Sequence, residues 1–562
     1  MNREPVAMKL YEKLVSQVEH LIHMGVYQPG ERIPSVRHAC YLNSMSVTTV
    51  LRAYLQLESR GVIESRPQSG YFVRRPVEAS SVERASIGQP QAVRNSERDV
   101  SVSASERRDG AVPDTSRVRK GHRSSSSDSS SALTYASTYA STNASTHEST
   151  YAPTHTSFSW SASDPAPDAG QFVLATLREI ARHGALPLGS PYPDPSIFPT
   201  TRLNRYAAAL ARQREAPGVL SDLPPGDAGL IHQIARRYAD AGCYVDPGEI
   251  VMTVGATEAL NLCLQVVAKP GDTIAIESPT FYAHLQAIEK LGMRALEVPT
   301  HPEAGIDIDA LTRLCDTQRI AACVVMPNFQ NPLGFQMSDE RKQLLVERMN
   351  ARGIPIIEND VYRELAFEGK APLPLKRFDR AGLVLHFSSF SKTLSPDQRI
   401  GWAMPGRFRQ AFETLKFFNT LTTPLTPQRA IAEYLRNDGY DAHLRRMRQR
   451  YSQQAAIMRA MVSRFFPSGT RISKPAGGYL LWIELPNRAD SMALYSAAIA
   501  EGITVGAGTL FSRSERYSSF IRLNYSYAWS ANTEQAIRTL GRLAGALPSR
   551  EPLEATLPDE LD

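Results

Sequence analysis

The chain has 562 residues, 42% hydrophobic and 21% charged, with a net charge of +6. That length exceeds what one hydrophobic core holds, so two or more globular domains are expected. No apolar run reaches the roughly 18 residues that suggest a membrane span, and the N-terminus lacks the apolar segment of a secretory signal, which leaves a cytoplasmic location as the expectation.

Residues 1–75 read as helices followed by a hairpin. Leu10, Leu14, Val18 and Leu21 share one helical face by their spacing. Pro29-Gly30 is a turn signal, and Pro34-Ser35 opens a short helix to about Leu42. A break over 43–46 precedes a second helix from Ser46 to Arg60, which Gly61 ends. Two β-prone runs, Val62-Ile63 and Tyr71–Val73, flank a turn at Gly70. The order helix, helix, turn, helix, wing brings one helix N-terminus to where it can enter a major groove. Ten Lys/Arg stand against six Glu and no Asp in this segment, which suits a phosphate backbone, although a solvated face carries the same excess.

The pieces PSVR (34–37), TTV (48–50), LESRGVI (57–63) and SGYFV (69–73), in that order, resemble the DNA-binding domain of the GntR family from Leu10 to Arg75. The resemblance implies a double-stranded DNA operator as partner. It also implies contacts from Ser35, Arg37, Ser46, Thr48 and Thr49, with Gly70 at the wing. The family often carries Arg where this chain has Val47, so one guanine-reading guanidinium is missing.

Residues 76–168 hold few aliphatic side chains and a four-residue repeat: YAST at 135 and 139, NAST at 143, HEST at 147 and YAPT at 151. So polar a period cannot bury a core, and the segment is predicted to be a disordered tether with a reach of roughly 50 Å. Residues 551–562 are predicted to be a disordered tail.

From 169 to 550, short apolar runs alternate with helical patterns. The runs at 249–254, 272–277, 321–326, 354–359 and 383–389 are apolar on both faces and predict a mostly parallel sheet covered by helices such as 256–267 and 339–350. Ligands of such sheets bind at the carboxyl ends of the strands. Lys392 follows one strand in SFSKTLSP, with Arg399 close behind; an amine there can condense with a cofactor aldehyde while Ser389, Ser391 and Arg399 hold a phosphate. Asp360, in ENDVY, can keep a pyridine nitrogen protonated, and Asn331, in QNPLG, can bond a ring hydroxyl. Gly255, Ala256 and Thr257 open a helix whose N-terminus favours phosphate. Phe281, with Tyr282 as its alternative, can stack on the ring, and Arg522 can pair with an amino-acid carboxylate. Each of these also has an ordinary reading as a helix cap, a turn or a surface ion pair. The five cysteines are scattered without a CxxC pair and predict reduced thiols and no zinc site.

In this order, at strand ends, the residues resemble the fold-type-I aminotransferases. With the segment in front, the whole chain resembles the MocR branch of the GntR regulators. The resemblance implies two folded parts, a winged helix-turn-helix domain (1–75) and an α/β transferase domain of fold type I (169–550). It implies pyridoxal 5'-phosphate as cofactor, a homodimer in which each winged domain meets the partner's large domain, and an amino compound as effector. Lys392, Asp360, Tyr362, Asn331, Arg399 and Arg522 match the family's motif positions. The family usually reads Pro-Gly-Leu-Arg where this chain has Pro396-Asp397-Gln398-Arg399, which puts an acid near the expected phosphate. Three functions remain open: a cofactor-sensing regulator, a working aminotransferase carrying a DNA-binding module, and a cofactor-free scaffold.

Overall fold

The computed structural model describes residues 8–75, 169–212 and 223–549. The stretch 76–168 and the tail 551–562 lie outside the described residues.

The winged domain consists of α1 (Leu10–His23), α2 (Val36–Asn43), α3 (Val47–Ser59), β1 (Ile63–Arg66) and β2 (Gly70–Val73). Ser35 and Ser46 stand at the N-caps of α2 and α3, where their hydroxyls accept the backbone N–H of His38 at 3.3 Å and of Thr49 at 3.2 Å. Each such cap stabilises its helix by about 1 kcal/mol. The chain leaves α3 through Gly61 at φ +70°, a backbone region that glycine enters without strain. α1 buries Leu14, Val15, Val18 and Leu21 against Val50, Tyr54 and Leu57 of α3 and Val73 of β2. Leu10, assigned to that face by spacing, is instead 58% exposed: it is the first helical residue, a turn before the packed stretch begins. Arg32 bridges Phe72 and so widens the β1–β2 hairpin.

The large domain is built on an eight-stranded sheet of β3 (Val251–Thr253), β4 (Thr273–Ser278), β5 (Arg294–His301), β6 (Gly305–Ile306), β7 (Ala322–Val325), β8 (Ile356–Asn359), β9 (Val384–Ser389) and β10 (Gly401–Met404). Their order is β3-β10-β9-β8-β7-β4-β5-β6. β9, β8, β7, β4 and β5 pair in parallel, as their two-sided apolar character predicts. β10 runs antiparallel to β9 and β3, because residues 390–400 are too few for the crossover that a parallel pair needs. Preceding or covering the sheet are α4 (Ala169–His183), α5 (Thr200–Arg212), α6 (Ala228–Asp240) and α7 (Gly255–Val267). A second, antiparallel sheet follows: β11 (Arg471–Ile472), β12 (Leu480–Glu484), β13 (Gly506–Ala507) and β14 (Phe520–Asn524), in the order β11-β12-β14-β13. The helix at 531–546 and the long helix at 440–465 share one apolar core with it.

The segments that leave β3, β4, β7, β8 and β9 at their carboxyl ends carry Gly255, Phe281, Asn331, Asp360 and Lys392, while Arg522 arrives from β14. Among the described residues no helix is long and apolar enough to cross a membrane.

Candidate cofactor site and DNA-binding face

Lys392 ends one helical turn, 390–392, directly after β9. Its Nζ donates to the Pro191 carbonyl at 2.9 Å and lies 4.7 Å from the centre of the Tyr192 ring. Although the residue keeps an opening to the cleft, burial and then the charges of Arg522 and Arg399 pull its ammonium down to about 7. A large share of neutral amine at physiological pH is what a nucleophilic lysine needs.

Asp360 follows β8 and is 1% exposed. Oδ1 accepts from Asn328 Nδ2 at 2.9 Å; Oδ2 lies 3.2 Å from Arg363 Nε as an ion pair but has no aligned hydrogen-bond donor. Burial, then the negative charge of Glu358, pushes the Asp360 carboxyl above the usual carboxylate range, against the opposing charge of Arg363. Asn331 accepts from Arg522 Nη1 at 3.2 Å and leaves its own Nδ2 without a partner. Tyr362 is buried and meets the Tyr479 ring edge-on at 5.5 Å. Arg522, 1% exposed, donates through Nη2 to the Gly189 carbonyl at 2.6 Å, while its Nε is unpartnered.

On the side expected to take phosphate, Gly255 begins α7 at φ +76°. A Cβ there would stand 2.6 Å from Arg399 Nη2, so glycine is what lets that guanidinium approach the helix start. Arg399 is exposed, has φ +52°, and donates to the Val254 carbonyl at 3.4 Å. Ala256 and the exposed Thr257 complete the first turn of α7; Ser389 and Ser391 are buried, and Ser391 Oγ has no partner. Helix N–H groups, hydroxyls and a guanidinium are the kinds of group that hold an anion. Asp397, the acid expected near it, is exposed in the turn before Arg399.

Phe281 keeps partial exposure and packs on Tyr282 at 4.5 Å and His284 at 5.8 Å, whereas Tyr282 is buried and lies 6.0 Å from the Arg522 guanidinium. Of the two, Phe281 is the one left available to cover a ring. Several residues here escape a reading of the sequence. His284, with its pKa pulled down to about 3 by burial, donates to Thr280 and accepts from Asn359 Nδ2 at 2.9 Å. Glu358, His386 and Tyr238 form a buried chain behind Asp360. Glu358, Asp360 and His386 are close enough to share a metal ion, but Glu358 is already engaged by the backbone N–H groups of Leu375 and Lys376, and His386 by Glu358 and Tyr238. Glu358 did carry a signal, since it lies two residues before Asp360 and so on the same strand face.

The predicted DNA-contacting residues gather on the winged domain. Arg37, Ser46, Val47 and Thr48 are exposed, Ser35 and Thr49 are half-buried, and Ser46 Oγ lies 2.9 Å from Thr48 Oγ1 and 2.8 Å from Thr49 Oγ1. The first turn of α3 has no acidic residue to oppose its positive end. Gly70 turns the wing at φ +101°, with Arg32 Nε 3.1 Å from where a Cβ would stand.

Residues 10–73 match the bacterial regulatory proteins of the gntR family, and residues 199–540 match aminotransferase class I and II. YdcR, an HTH-type transcriptional regulator of Escherichia coli, is 36% identical over 536 residues, covering 95% of this chain and 99% of that protein. The chain belongs to the MocR branch of the GntR regulators. YjiR of the same organism is 31% identical over 95% of the chain and 98% of its own length. LysN, an α-aminoadipate aminotransferase from Thermus thermophilus, was solved with N-(5'-phosphopyridoxyl)-L-leucine; it is 28% identical, with a TM-score of 0.61, over 68% of this chain and 97% of LysN.

An aminotransferase family of this class implies pyridoxal phosphate. The residues present fit that group. A near-neutral lysine amine, a carboxylate oxygen with no hydrogen-bond donor, an amide and a hydroxyl without hydrogen bonds, and a helix start kept open by glycine are the donors and acceptors that an aldehyde, a ring nitrogen, a ring oxygen and a phosphate require.

Proposed function

We propose that this regulator senses pyridoxal phosphate, alone or with an amino compound, and that the bound state shifts its affinity for operator DNA. The observation that carries this reading is the set of buried polar atoms without a hydrogen bond on Asp360, Asn331, Ser391 and Arg522, together with Lys392, on the same chain as an exposed helix start suited to phosphate. The proposed parts are a winged domain over 1–75 and a cofactor domain over 169–550, in a cytoplasmic protein.

When bound, pyridoxal phosphate supplies an aldehyde for amine condensation and a ring that takes up electrons. Lys392 would offer the amine. Asp360 would hold the proton of the ring nitrogen, with Asn328 and Arg363 fixing its carboxylate. Asn331 and Tyr362 would orient the ring through its hydroxyl, and Phe281 would cover a face. Ser389, Ser391, Arg399 and the first turn of α7 (Gly255, Ala256, Thr257) would take the phosphate. Arg522 would bind the carboxylate of an amino-compound effector.

A homodimer is part of this reading. Phe418 and Leu421, 79% and 52% exposed, sit at the end of the helix at 409–420, which also ties Lys416 to Glu258 in the first turn of α7. An apolar cluster left open beside the cleft supports a second subunit there. Sedimentation of the full chain and of Phe418→Asp tests it; a monomer at micromolar concentration refutes it.

The test of sensing is the affinity of the full chain for genomic operator fragments with and without pyridoxal phosphate. Typical linkage gives a change of about 5–150-fold. Unchanged affinity in protein loaded with the cofactor refutes the reading. A second reading, a working aminotransferase, is favoured by the near-neutral amine of Lys392. Sustained turnover between an amino acid and an oxo-acid would establish it; a single half-reaction would not.

A further inference from the structure

α6 has two faces with different partners. At 231, 234, 235 and 238 it packs into the core of the large domain, and at 232, 236, 239 and 240 it meets the winged domain, each set following helical spacing.

On the inner face, Tyr238 sits between both carboxylates of the β8 strand end. Its O–H donates to His386 Nε2 at 2.6 Å, and His386 Nδ1–H donates to Glu358 at 2.8 Å. Its ring lies under the Arg363 guanidinium at 4.4 Å, and Arg363 Nε is 3.2 Å from Asp360 Oδ2. Trp402 Nε1 donates to the Tyr238 oxygen at 3.2 Å and fixes the ring in place. Tyr238, Glu358, Asp360, Arg363 and His386 are all buried, so a change in charge at Asp360 has no water to screen it.

On the outer face, Glu31 of the winged domain is held twice. It accepts from Arg236 Nη1 at 3.0 Å and faces His232 Nε2 at 3.1 Å, while His232 Nδ1 faces the Gly25 carbonyl at 3.0 Å. Arg236 Nη2 also donates to the Arg32 carbonyl at 3.3 Å, and Arg32 is the residue that bridges the wing. His38 Nε2 donates to the Asp240 carbonyl at 2.9 Å, one residue beyond Arg37 in α2. Ala239 is fully buried among winged-domain residues. The seat therefore grips the wing base and α2, the two elements that flank the DNA-binding helix.

We propose that α6 is the interaction surface through which the winged domain reads the cofactor site, with Tyr238 as the inner contact and His232 and Arg236 as the outer ones. This rests on the sensing function proposed above and names its route. A helix moves as a rigid element, so a shift of Arg363 or His386 against Tyr238 is delivered to Glu31 and His38 within two turns. Cofactor at Asp360 changes what Arg363 and Glu358 balance, and the winged domain changes its seat.

The experiment is amide hydrogen exchange on the full chain, with and without pyridoxal phosphate, read over 228–240 and over 31–39. Cofactor binding in wild type, confirmed by its absorbance, should alter exchange in both segments by about threefold or more. In Tyr238→Phe, which keeps the ring under Arg363 but loses the bond to His386, cofactor should still bind and still alter 356–363, but the response over 31–39 should shrink; an undiminished response overturns the role of Tyr238. Arg236→Ala should lose the same response while 228–240 still responds. Wild-type protein that binds cofactor with 31–39 silent overturns the inference, even where operator affinity remains cofactor-dependent and sensing stands. Protein that takes up no pyridoxal phosphate refutes sensing instead. The link is then read without cofactor: Tyr238→Phe should raise exchange over 31–39 relative to wild type, and equal exchange overturns the proposal.

Discussion

In the winged domain the hydroxyls of Ser35 and Ser46 are already bonded as helix caps, and Arg37, Val47 and Thr48 stand in solvent. In the cleft of the large domain the reverse holds: Asp360, Asn331, Ser391 and Arg522 are buried, and each keeps a polar atom without a hydrogen bond. An exposed face gains affinity by releasing counterions from phosphate, one contact at a time, and loses it gradually with salt. A buried site with fixed unpaired groups is preorganised, so the loss of one group is severe and depends little on salt. The two regions should thus fail in different ways when altered.

The largest effect is expected at Lys392. Borohydride treatment with pyridoxal phosphate should label Lys392, and Lys392→Ala should lose the label entirely; retained labelling elsewhere in the cleft breaks the assignment. Because burial and neighbouring charges lower this ammonium to about 7, the free amine is half formed near that pH. The rate of capture should therefore rise with pH through neutrality and level off above about 8, whereas an ordinary lysine near 10.4 would still be accelerating there.

Next comes Asp360→Asn, which should weaken pyridoxal phosphate binding by about 2–5 kcal/mol, the range for truncating a buried charged partner. Binding within threefold of wild type would remove Asp360 from the ring nitrogen. On the other side of the comparison, Arg37→Ala should weaken all DNA sequences alike and make the salt slope shallower by about 1. An unchanged slope would take Arg37 off the phosphate backbone. The smallest effect is expected at Ser46→Ala, which should cost about 1 kcal/mol of winged-domain stability through the lost cap, with Ser46→Gly costing only a few tenths. Unchanged stability in Ser46→Ala would show that the hydroxyl contributes nothing to the cap.

The same contrast explains what can be read in the sequence. The winged domain is local: caps at Ser35 and Ser46, the stop at Gly61 and the turn at Gly70 are each set by neighbouring residues, and the structure places them where the sequence does. Leu10 departs from its expected burial because periodicity says which residues share a face but not where the packing partner begins. In the large domain the strand ends bearing Lys392, Asp360 and Asn331 are legible as apolar runs followed by polar motifs. The network behind them is not. Tyr238 reaches His386 across 148 positions, and Lys392 reaches Pro191 across 201, with nothing local to mark either contact. In the second sheet β11 and β13 escape notice for a related reason: they are two residues each, too short for any alternation to register.

The carbonyls of Gly189 and Pro191 already accept from Arg522 and Lys392, so the segment after α4 lies in the cleft as a resident ligand of the chain itself. A carboxylate arriving at Arg522 exchanges one acceptor for another and gains only their difference, which favours charged acceptors over neutral ones. Tyr479 and Asn524 hold the same segment at Pro191, Ser190 and Tyr192, so eviction from Arg522 pulls on a strap anchored just beyond Gly189. An amino compound bound at Arg522, as proposed, would therefore have to outcompete the protein's own backbone.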